Sequence, residues 1–412
     1  MTRRAQNTLR HRAYFEQLDA IGDDAHPDFH TVAAGLYALR LFDSWVLDGC
    51  GSAPPDARQL GGARRAVAEA PPSATMRVLG NVVEAIATAQ GVDGSMVLPA
   101  LLAYARALNF EARWALAQDV YDTIISVSSC VTDDELLLSA MHMRGYTMRM
   151  QGRLDEAAVA YKQLRMAAEF VGETKFVMEA RLSEAKLAID RGNLPRAEEK
   201  LEELLAEPAI MVRPALRSKV LHDRSTVSGR RGHLADAVKL AYQALELCKD
   251  PASRDRILTD LATTLCSMGQ WDGARDAFTI VAATAQEQHI RWAATNSLLE
   301  IAFLERRQPL FDQYRRELSD AALPPVLRVE HLYLVGKGLR TFGHVAEAAE
   351  ALSKALAMAH EHGLNELAFK AETLLENSDA GLPELPISEY SPDDGVSEVL
   401  GGIARMLESA RS

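Results

Sequence analysis

The stretch GRLDEAAVAYKQL, residues 152–164, decides the fold because its spacing recurs along the chain. Its skeleton is Gly152, Leu154, Ala157 and Tyr161. The same offsets return as Ala112, Trp114, Ala117 and Tyr121; Gly192, Leu194, Ala197 and Leu201; Gly232, Leu234, Ala237 and Ala241; Gly269, Trp271, Ala274 and Phe278; and Gly343, Val345, Ala348 and Leu352. A degenerate copy, QPLFDQY, begins at Gln308. Repetition at about 35 to 40 residues is typical of a solenoid, whose units bury their apolar faces against one another.

Each unit is predicted to hold two helices, with the glycine at the turn between them. Before Gly269, the apolar residues Leu258, Leu261 and Leu265 recur at steps of three and four, which places them on one helical face. After it, Ala274 and Phe278 lie four residues apart. The small alanine lets two helix axes approach closely, and the glycine relaxes the backbone limits at a sharp reversal.

This pattern resembles the tetratricopeptide repeat (TPR) family, whose signature adds a glycine in the first helix, seen here as Gly145 and Gly336. The resemblance covers about residues 94 to 363. It departs from the family in its longer period, about 40 residues against about 34, and in the scarcity of the proline that often ends a unit. The resemblance implies an all-α fold, a right-handed α-solenoid of stacked antiparallel helix pairs whose first helices line a concave groove. It implies a scaffold and no specific activity.

The regions outside the repeats are also expected to be helical. Residues 1–93 are interpreted as decayed repeats or a cap, with helices near 6–21, 28–48, 56–69 and 72–90. After the array at 94–363 we expect a capping helix at 364–376, an acidic, proline-containing linker at 377–395 and an amphipathic helix at 396–412. The apolar face of that last helix consists of Val396, Val399, Leu400, Ile403, Met406 and Leu407.

Composition narrows the class of protein. The chain has 412 residues, a formal charge of −12 and only 6% aromatic residues, which favours helices and argues against a general affinity for nucleic acid or anionic membranes. No run of about 18 apolar residues occurs, as a membrane span requires. Cys50, Cys130, Cys248 and Cys266 are far apart, without zinc-ligand spacing. The sequence therefore predicts a soluble, cytoplasmic, bacterial protein that binds neither nucleic acid nor membranes directly and holds no metal or cofactor.

Motifs for catalysis are missing from the sequence. It contains no HExxH, no GxSxG and no Walker loop, and the abundant carboxylates on helical repeats are typical of a solvated face. We therefore predict a protein that is not an enzyme. An enzyme within residues 1–93 stays open as a third reading that no motif supports.

The groove is the informative surface, because positions at fixed distances before each turn residue should face it. These positions are mostly cationic, although the anions Glu179, Asp190, Glu305 and Glu330 share them. The candidate partner-binding residues are Arg106, Asn109, His142, Tyr146, Arg149, Lys186, Lys219, His222, Arg230, Arg256, Arg306, Tyr333, Lys337 and Arg340. A cationic groove on an acidic protein predicts a site for an acidic peptide. The alternative is a solvated face whose cations pair with neighbouring carboxylates.

The function that follows is an adaptor or sensor that captures an acidic peptide or protein segment. The repeat length is similar to that of bacterial TPR regulators that sense short peptides. The alternative is a structural spacer or assembly subunit, including a homo-oligomer, that uses its convex face or ends. For the acidic tail, we consider a tethered pseudo-ligand in the groove. The other possibilities are a helix that caps the last unit and a segment that awaits a partner.

Overall fold

The computed structural model describes residues 10–47, 56–89, 97–127, 133–321, 323–376 and 392–411. Within these ranges every regular element is an α-helix, as the composition predicted. The chain divides into two compact units, Met1–Asn193 (unit 1) and Leu194–Ser412 (unit 2). Cys50, Cys130 and most of the predicted linker at 377–395 lie outside the described residues.

The described residues of unit 1 form α-helices both before and after residue 93. Its helices are α1 (Arg12–Ile21), α2 (Pro27–Leu47), α3 (Ala57–Glu69), α4 (Ala74–Thr88), α5 (Val97–Phe110), α6 (Trp114–Ser126), α7 (Asp134–Met150), α8 (Leu154–Val171) and α9 (Thr174–Asp190). One continuous apolar cluster runs from Tyr14 in α1 to Ala140 in α7. The helices before residue 93 therefore share their core with the first repeats, and the boundary predicted at that residue does not coincide with a break in the packing.

Unit 2 continues the pattern of helical hairpins. Its helices are α10 (Leu194–Ala206), α11 (Pro208–Met211), α12 (Pro214–Arg230), α13 (Leu234–Leu247), α14 (Pro251–Ser267), α15 (Trp271–Thr284), α16 (Gln288–Leu304), α17 (Gln308–Ser319), α18 (Pro325–Thr341), α19 (Val345–Glu361), α20 (Asn365–Glu376) and α21 (Asp394–Arg411). The hairpins α12–α13, α14–α15, α16–α17 and α18–α19 pack in sequence. In both units, the helix before the turn residue is the first helix of its hairpin and the one after it is the second.

The turn between the two helices of a hairpin has the same backbone geometry in every copy. Gly152 and Gly192 adopt φ of 73° and 72°, in the left-handed region that glycine tolerates without a steric cost. Gly232, Gly269 and Gly343 do the same. The degenerate copies keep this geometry without glycine, because Ala112 and Arg306 have φ of 56° and 59°. In the copies with glycine the turn falls where the sequence pattern predicted it, whereas in the degenerate copy the turn residue is Arg306, two residues before Gln308, where that copy was predicted to begin.

Close packing inside the hairpins explains the small residues of the pattern. A Cβ atom added to Gly145 of α7 would lie 2.5 Å from the ring of Tyr161 in α8, and one added to Gly336 of α18 would lie 2.5 Å from Leu352 in α19. Ala157 of α8 is fully buried in an apolar cluster that includes Leu138 and Met148 of α7. The chain is thus an all-α protein built from TPR-like helical hairpins.

Candidate functional site

The surface of the first helices carries most of the predicted site residues; we call it the first-helix surface and describe it within each unit. In unit 1 it belongs to α5, α7 and α9. Arg106 is exposed and donates a hydrogen bond of 2.8 Å to Ser139 Oγ. Arg149 pairs with Asp190 at 3.3 Å, and its guanidinium lies 5.7 Å from the centre of the Tyr146 ring. Polar side chains therefore link each first helix of this unit to the next one.

Two further predicted residues of unit 1, His142 and Lys186, lie on this surface, and a third, Asn109, does not. His142 Nε2 lies 3.0 Å from Ser183 Oγ, and Lys186 is half-buried on α9. Asn109 is buried, and its Nδ2 donates to the hydroxyl of Tyr121 at 2.9 Å. The prediction that Asn109 contacts a partner is therefore wrong, since its amide serves the interior of the α5–α6 hairpin.

In unit 2 the first-helix surface belongs to α12, α14, α16 and α18, and several of its predicted residues are paired. His222 Nε2 lies 2.8 Å from Asp260 Oδ2, which joins α12 to α14. Lys337 of α18 is 3.0 Å from Glu300 of α16 and also 5.6 Å from the centre of the Tyr333 ring. For these residues the structure matches the alternative considered from the sequence, in which groove cations and histidines pair with neighbouring carboxylates.

The ends of the first helices hold two further cations. Arg340 donates to the carbonyl oxygen of Leu374 at 3.0 Å. Arg306 is the turn residue after α16 rather than part of that helix, and it donates to the carbonyl oxygen of Thr341 at 3.0 Å. The prediction that Arg306 lies within the groove stripe is corrected accordingly, because the degenerate repeat shifted its register.

Lys219, Arg230 and Arg256 form the exposed cationic part of this surface. Lys219 and Arg256 occupy equivalent positions on α12 and α14, and both act on the carboxylate of Asp250. The pKa of Asp250 is lowered, first by hydrogen bonds from Ser253 and further by the charges of Arg256 and Lys219. Two successive first helices thus present an exposed cation at the same position of the repeat.

A cleft of about 310 Å³ opens between α14 and α16 on the first-helix surface of unit 2. Its lining is formed by Thr263, Cys266, Ser267, Trp271, Phe278, Ser297, Glu300, Ile301 and Leu304. Short side chains on the facing first helices leave the space, and the rings of Trp271 and Phe278 come from α15. Sequence reasoning missed this cleft; the available signal was the run of short residues at 263–267. Burial raises the pKa of the Cys266 thiol to about 12, which keeps it protonated and unreactive.

A second polar cluster, in unit 1, was also missed. His11 is buried and adopts a left-handed φ of 59° just before α1. Its Nδ1 lies 2.6 Å from Asp119 and its Nε2 lies 3.3 Å from Asp43, which also pairs with Arg10. Burial by itself would lower the pKa of His11, but the two hydrogen-bonded carboxylates outweigh it and raise the pKa to about 9. Because both ring nitrogens face carboxylates, this histidine ties α1 to α2 and α6 and is not placed to act as a general base.

The C-terminal helix α21 does not lie on the surface where the tethered-ligand hypothesis placed it. α21 packs against α13 and α15, which are second helices. Val396, Val399, Ile403 and Leu407 are buried there, and Asp393 accepts a 2.6 Å ion pair from Lys239 of α13. The tail therefore docks within its own chain, but the idea that it covers the first-helix surface is wrong. The cause is shape, because Leu400 of the tail enters the space above Gly273 of α15, and Gly402 leaves room for the ring of Tyr242 in α13.

Within the described part of the chain, no group of histidine, cysteine and acidic residues is placed to hold a metal ion. None of the helices described is both long and apolar enough to cross a membrane.

Comparison with known proteins gives similarities to solved structures only. No protein-family model matches the chain, and no curated protein matches its sequence. A TPR protein from Parabacteroides merdae is 16% identical over 67% of this chain and 98% of its own, with a TM-score of 0.43. A Rap protein complexed with competence and sporulation factor is 13% identical over 86% of this chain and 98% of its own, with a TM-score of 0.41. A third structure shows the Q17M form of kinesin light chain TPR-like repeats from Podosopora anserina, which are nearly identical to one another. It is 19% identical over 45% of this chain and 96% of its own, with a TM-score of 0.39. The assignment of TPR-like repeats rests on the hairpins, turns and glycine packing of this chain itself.

Proposed function

We propose that this chain is a non-catalytic binding protein, an adaptor or peptide sensor, that holds an acidic peptide or protein segment along its first-helix surface. The observation that carries this proposal is that the exposed Lys219 and Arg256 occupy equivalent positions on the successive first helices α12 and α14. Neighbouring helices lie about 8 to 10 Å apart, which is close to the length of three residues of extended chain. An extended segment with acidic residues three apart therefore matches the two cations.

The cleft between α14 and α16 adds a second element of recognition in the same unit. Its walls include the rings of Trp271 and Phe278 and the aliphatic side chains of Ile301 and Leu304. A volume of about 310 Å³ accommodates one large apolar side chain of a ligand. The proposed ligand is thus an extended segment that combines carboxylates with an apolar anchor residue.

The experiment that tests this function is a comparative pull-down followed by titration. The full chain and its K219E/R256E variant serve as baits, and the proteins that the wild type retains are identified by mass spectrometry and synthesised as overlapping peptides for titration against both chains. The binding peptide should be acidic, and its affinity should fall as salt rises, because surface charge pairs are screened. The matched control is R316E/K354E, which makes the same change of charge on the exposed second-helix positions of α17 and α19. A ligand that the wild type, the K219E/R256E variant and the control bind equally well would refute the proposal.

A second candidate function, assembly with another copy of the chain, is favoured by one specific observation in unit 1. Val159, Met166 and Phe170 lie on one side of the second helix α8 and are 57%, 59% and 92% exposed. Phe170 is too exposed to contribute to the core, and exposed apolar stripes mark association surfaces. If this surface drives self-association, light scattering should detect a concentration-dependent dimer that M166S/F170S abolishes. A wild type that stays monomeric at high concentration would exclude this candidate.

A further inference from the structure

The contact between α21 and the second helices α13 and α15 is shaped by three complementary pairs. Leu400 projects into the space above Gly273 of α15, and no Cβ atom fits there while the leucine is present. Gly402 lies directly against the ring and hydroxyl of Tyr242 in α13, and again no Cβ atom fits. The third pair is the ion pair of Asp393 with Lys239. We call the surface formed by Lys239, Tyr242 and Gly273 the helix-docking face.

This face departs from the repeat pattern at the positions where α21 sits. Four residues after the turn glycine, the second helices α8, α13 and α19 carry the charged residues Glu156, Asp236 and Glu347, whereas α15 carries Gly273. Ten residues after the glycine, α13 carries Tyr242, where α8 has Lys162. Gly273 also lies at ordinary contact distance from Leu265 of its own hairpin, but the side chain that leaves no room for a Cβ atom at residue 273 is Leu400 of α21, just as Tyr242 leaves none at Gly402. Both are explained by the helix that docks on them.

The docked helix has the properties of a segment that folds when it binds. Its outer side is exposed at Ser397, Glu398 and Arg405, so its stability depends on the docked side alone. Gly401 lowers its helix propensity, yet a Cβ atom there would only reach the guanidinium of Arg405 at an ordinary distance of 3.5 Å. Gly402 is required by Tyr242, whereas Gly401 is required by no contact of this kind. An isolated helix of this length that contains two central glycines is marginal in water, so the contacts with the docking face supply most of its stability.

We propose that the helix-docking face of α13 and α15 is a binding site for an amphipathic helix of a partner protein, and that α21 is its intramolecular occupant, which the partner displaces. The face defines the chemistry of that partner. The partner's helix carries an acidic residue just before its start, which pairs with Lys239. It also carries a leucine that fills the recess above Gly273 and, two positions later, a small residue that lies beneath Tyr242. Because a tethered segment competes at high local concentration, the partner must outbind the tail or bind after its release. This inference does not depend on the peptide proposed for the first-helix surface.

The first test compares two glycine-to-alanine variants of the full chain that share the same gain in helix propensity. Gly401→Ala adds a methyl group where there is room, so hydrogen–deuterium exchange of the α21 amides should slow by about fivefold. Gly402→Ala forces the methyl group against Tyr242, so the same amides should exchange at least tenfold faster than in the wild type. If both variants shift exchange in the same direction, or neither shifts it, the tail does not depend on the docking face and the proposal is wrong.

The second test supplies the helix in trans, with a fluorescein-labelled peptide of residues 392–411 as the probe. Leu400→Asp and, independently, Gly402→Ala release the tail of the full chain. Both variants should bind the peptide at least tenfold more tightly than the wild type in fluorescence anisotropy titrations. Adding Gly273→Leu to the Leu400→Asp variant should abolish that binding, because the recess is filled. The matched control is Glu347→Leu, which makes the same side chain at the equivalent exposed position of α19.

The outcomes separate the possible occupants. Binding to both released variants, its loss with Gly273→Leu and its retention with Glu347→Leu support a helix-docking site. Equal binding to the wild type, or binding that survives Gly273→Leu, would overturn it. A concentration-dependent dimer of the wild type that Leu400→Asp abolishes would show exchange of tails between copies, and would overturn the assignment of the face to a partner protein.

Discussion

The ring of Phe311 occupies the space that any side chain at residue 338 would need. Phe311 stands where the clear repeats carry alanine, and it is 1% exposed. Its ring lies so close to Gly338 of α18 that no Cβ atom fits between them. The largest departure from the repeat pattern is thus matched by a glycine on the following first helix, and the two residues form one packing unit.

The first prediction is that Phe311 and Gly338 are energetically coupled. Phe311→Ala should lower the free energy of unfolding by roughly 3 to 5 kcal/mol, because it leaves a cavity. Gly338→Ala should lower it by roughly 1 to 3 kcal/mol through overpacking. In the double variant the new methyl group has room, so its cost should be smaller than the sum by about 1 kcal/mol or more. Urea unfolding of the four proteins measures the coupling, and strict additivity would show that the two residues do not share one space.

The second prediction contrasts two helical glycines. Gly145→Ala should destabilise the chain by roughly 1 to 3 kcal/mol, since the added methyl group meets the ring of Tyr161 at 2.5 Å. The control is Gly80→Ala in α4, where the nearest atom is Val67 Cγ1 at an ordinary 3.8 Å. That variant should be stabilised by up to about 1 kcal/mol through helix propensity. If thermal or urea unfolding shows the same sign for both, the close approach of α7 and α8 is not what constrains residue 145.

The third prediction concerns the stability of unit 1 as a function of pH. The pKa of His11 is raised from 6.5 to about 9, so its stabilising contribution is fully present below pH 6.5 and is lost as the pH rises through 9. His11→Asn should therefore lower the free energy of unfolding by roughly 1 to 3 kcal/mol at pH 6. That penalty should shrink between pH 7 and pH 10.

Urea unfolding at several pH values measures this penalty, with the exposed His360→Asn as a control that should show none. A penalty for His11→Asn that stays constant or grows toward pH 10 would contradict the assignment of the charged form to His11.

The fourth prediction concerns the thiol in the cleft between α14 and α16. Burial, and to a lesser degree the charge of Glu300, raise the pKa of Cys266 to about 12, so the reactive thiolate is scarce at neutral pH. In a variant whose other cysteines are replaced, Cys266 should react with N-ethylmaleimide on the order of 100-fold more slowly in the folded chain than in urea. Glu300→Gln should raise the folded-state rate. A folded rate equal to the rate in urea would show that the thiol is not held in this environment.

The fold was predictable because its determinants are local and repeated. Gly152 and its equivalents mark the turns, and Ala157 with Tyr161 marks the tight face of each second helix. Even the copies that lack glycine keep the turn, since the apolar spacing of three and four residues specifies the helices on both sides. The sites were less predictable. Asn109 lies on the predicted stripe but is buried, and Arg306 is the turn residue itself rather than part of the stripe, because a degenerate repeat hides its own register.

The sequence by itself determined the class of this protein, its hairpins and the amphipathic character of its tail, because helix periodicity and turn chemistry depend on neighbouring residues. Only the tertiary structure decided where distant residues meet. It paired Lys337 with Glu300 and joined His11 to Asp119 across 108 positions of the chain. It also placed α21 on the second helices, since Leu400 fits the recess at Gly273. Such contacts depend on the complementary shapes of elements that are far apart in sequence, and no local sequence pattern encodes them.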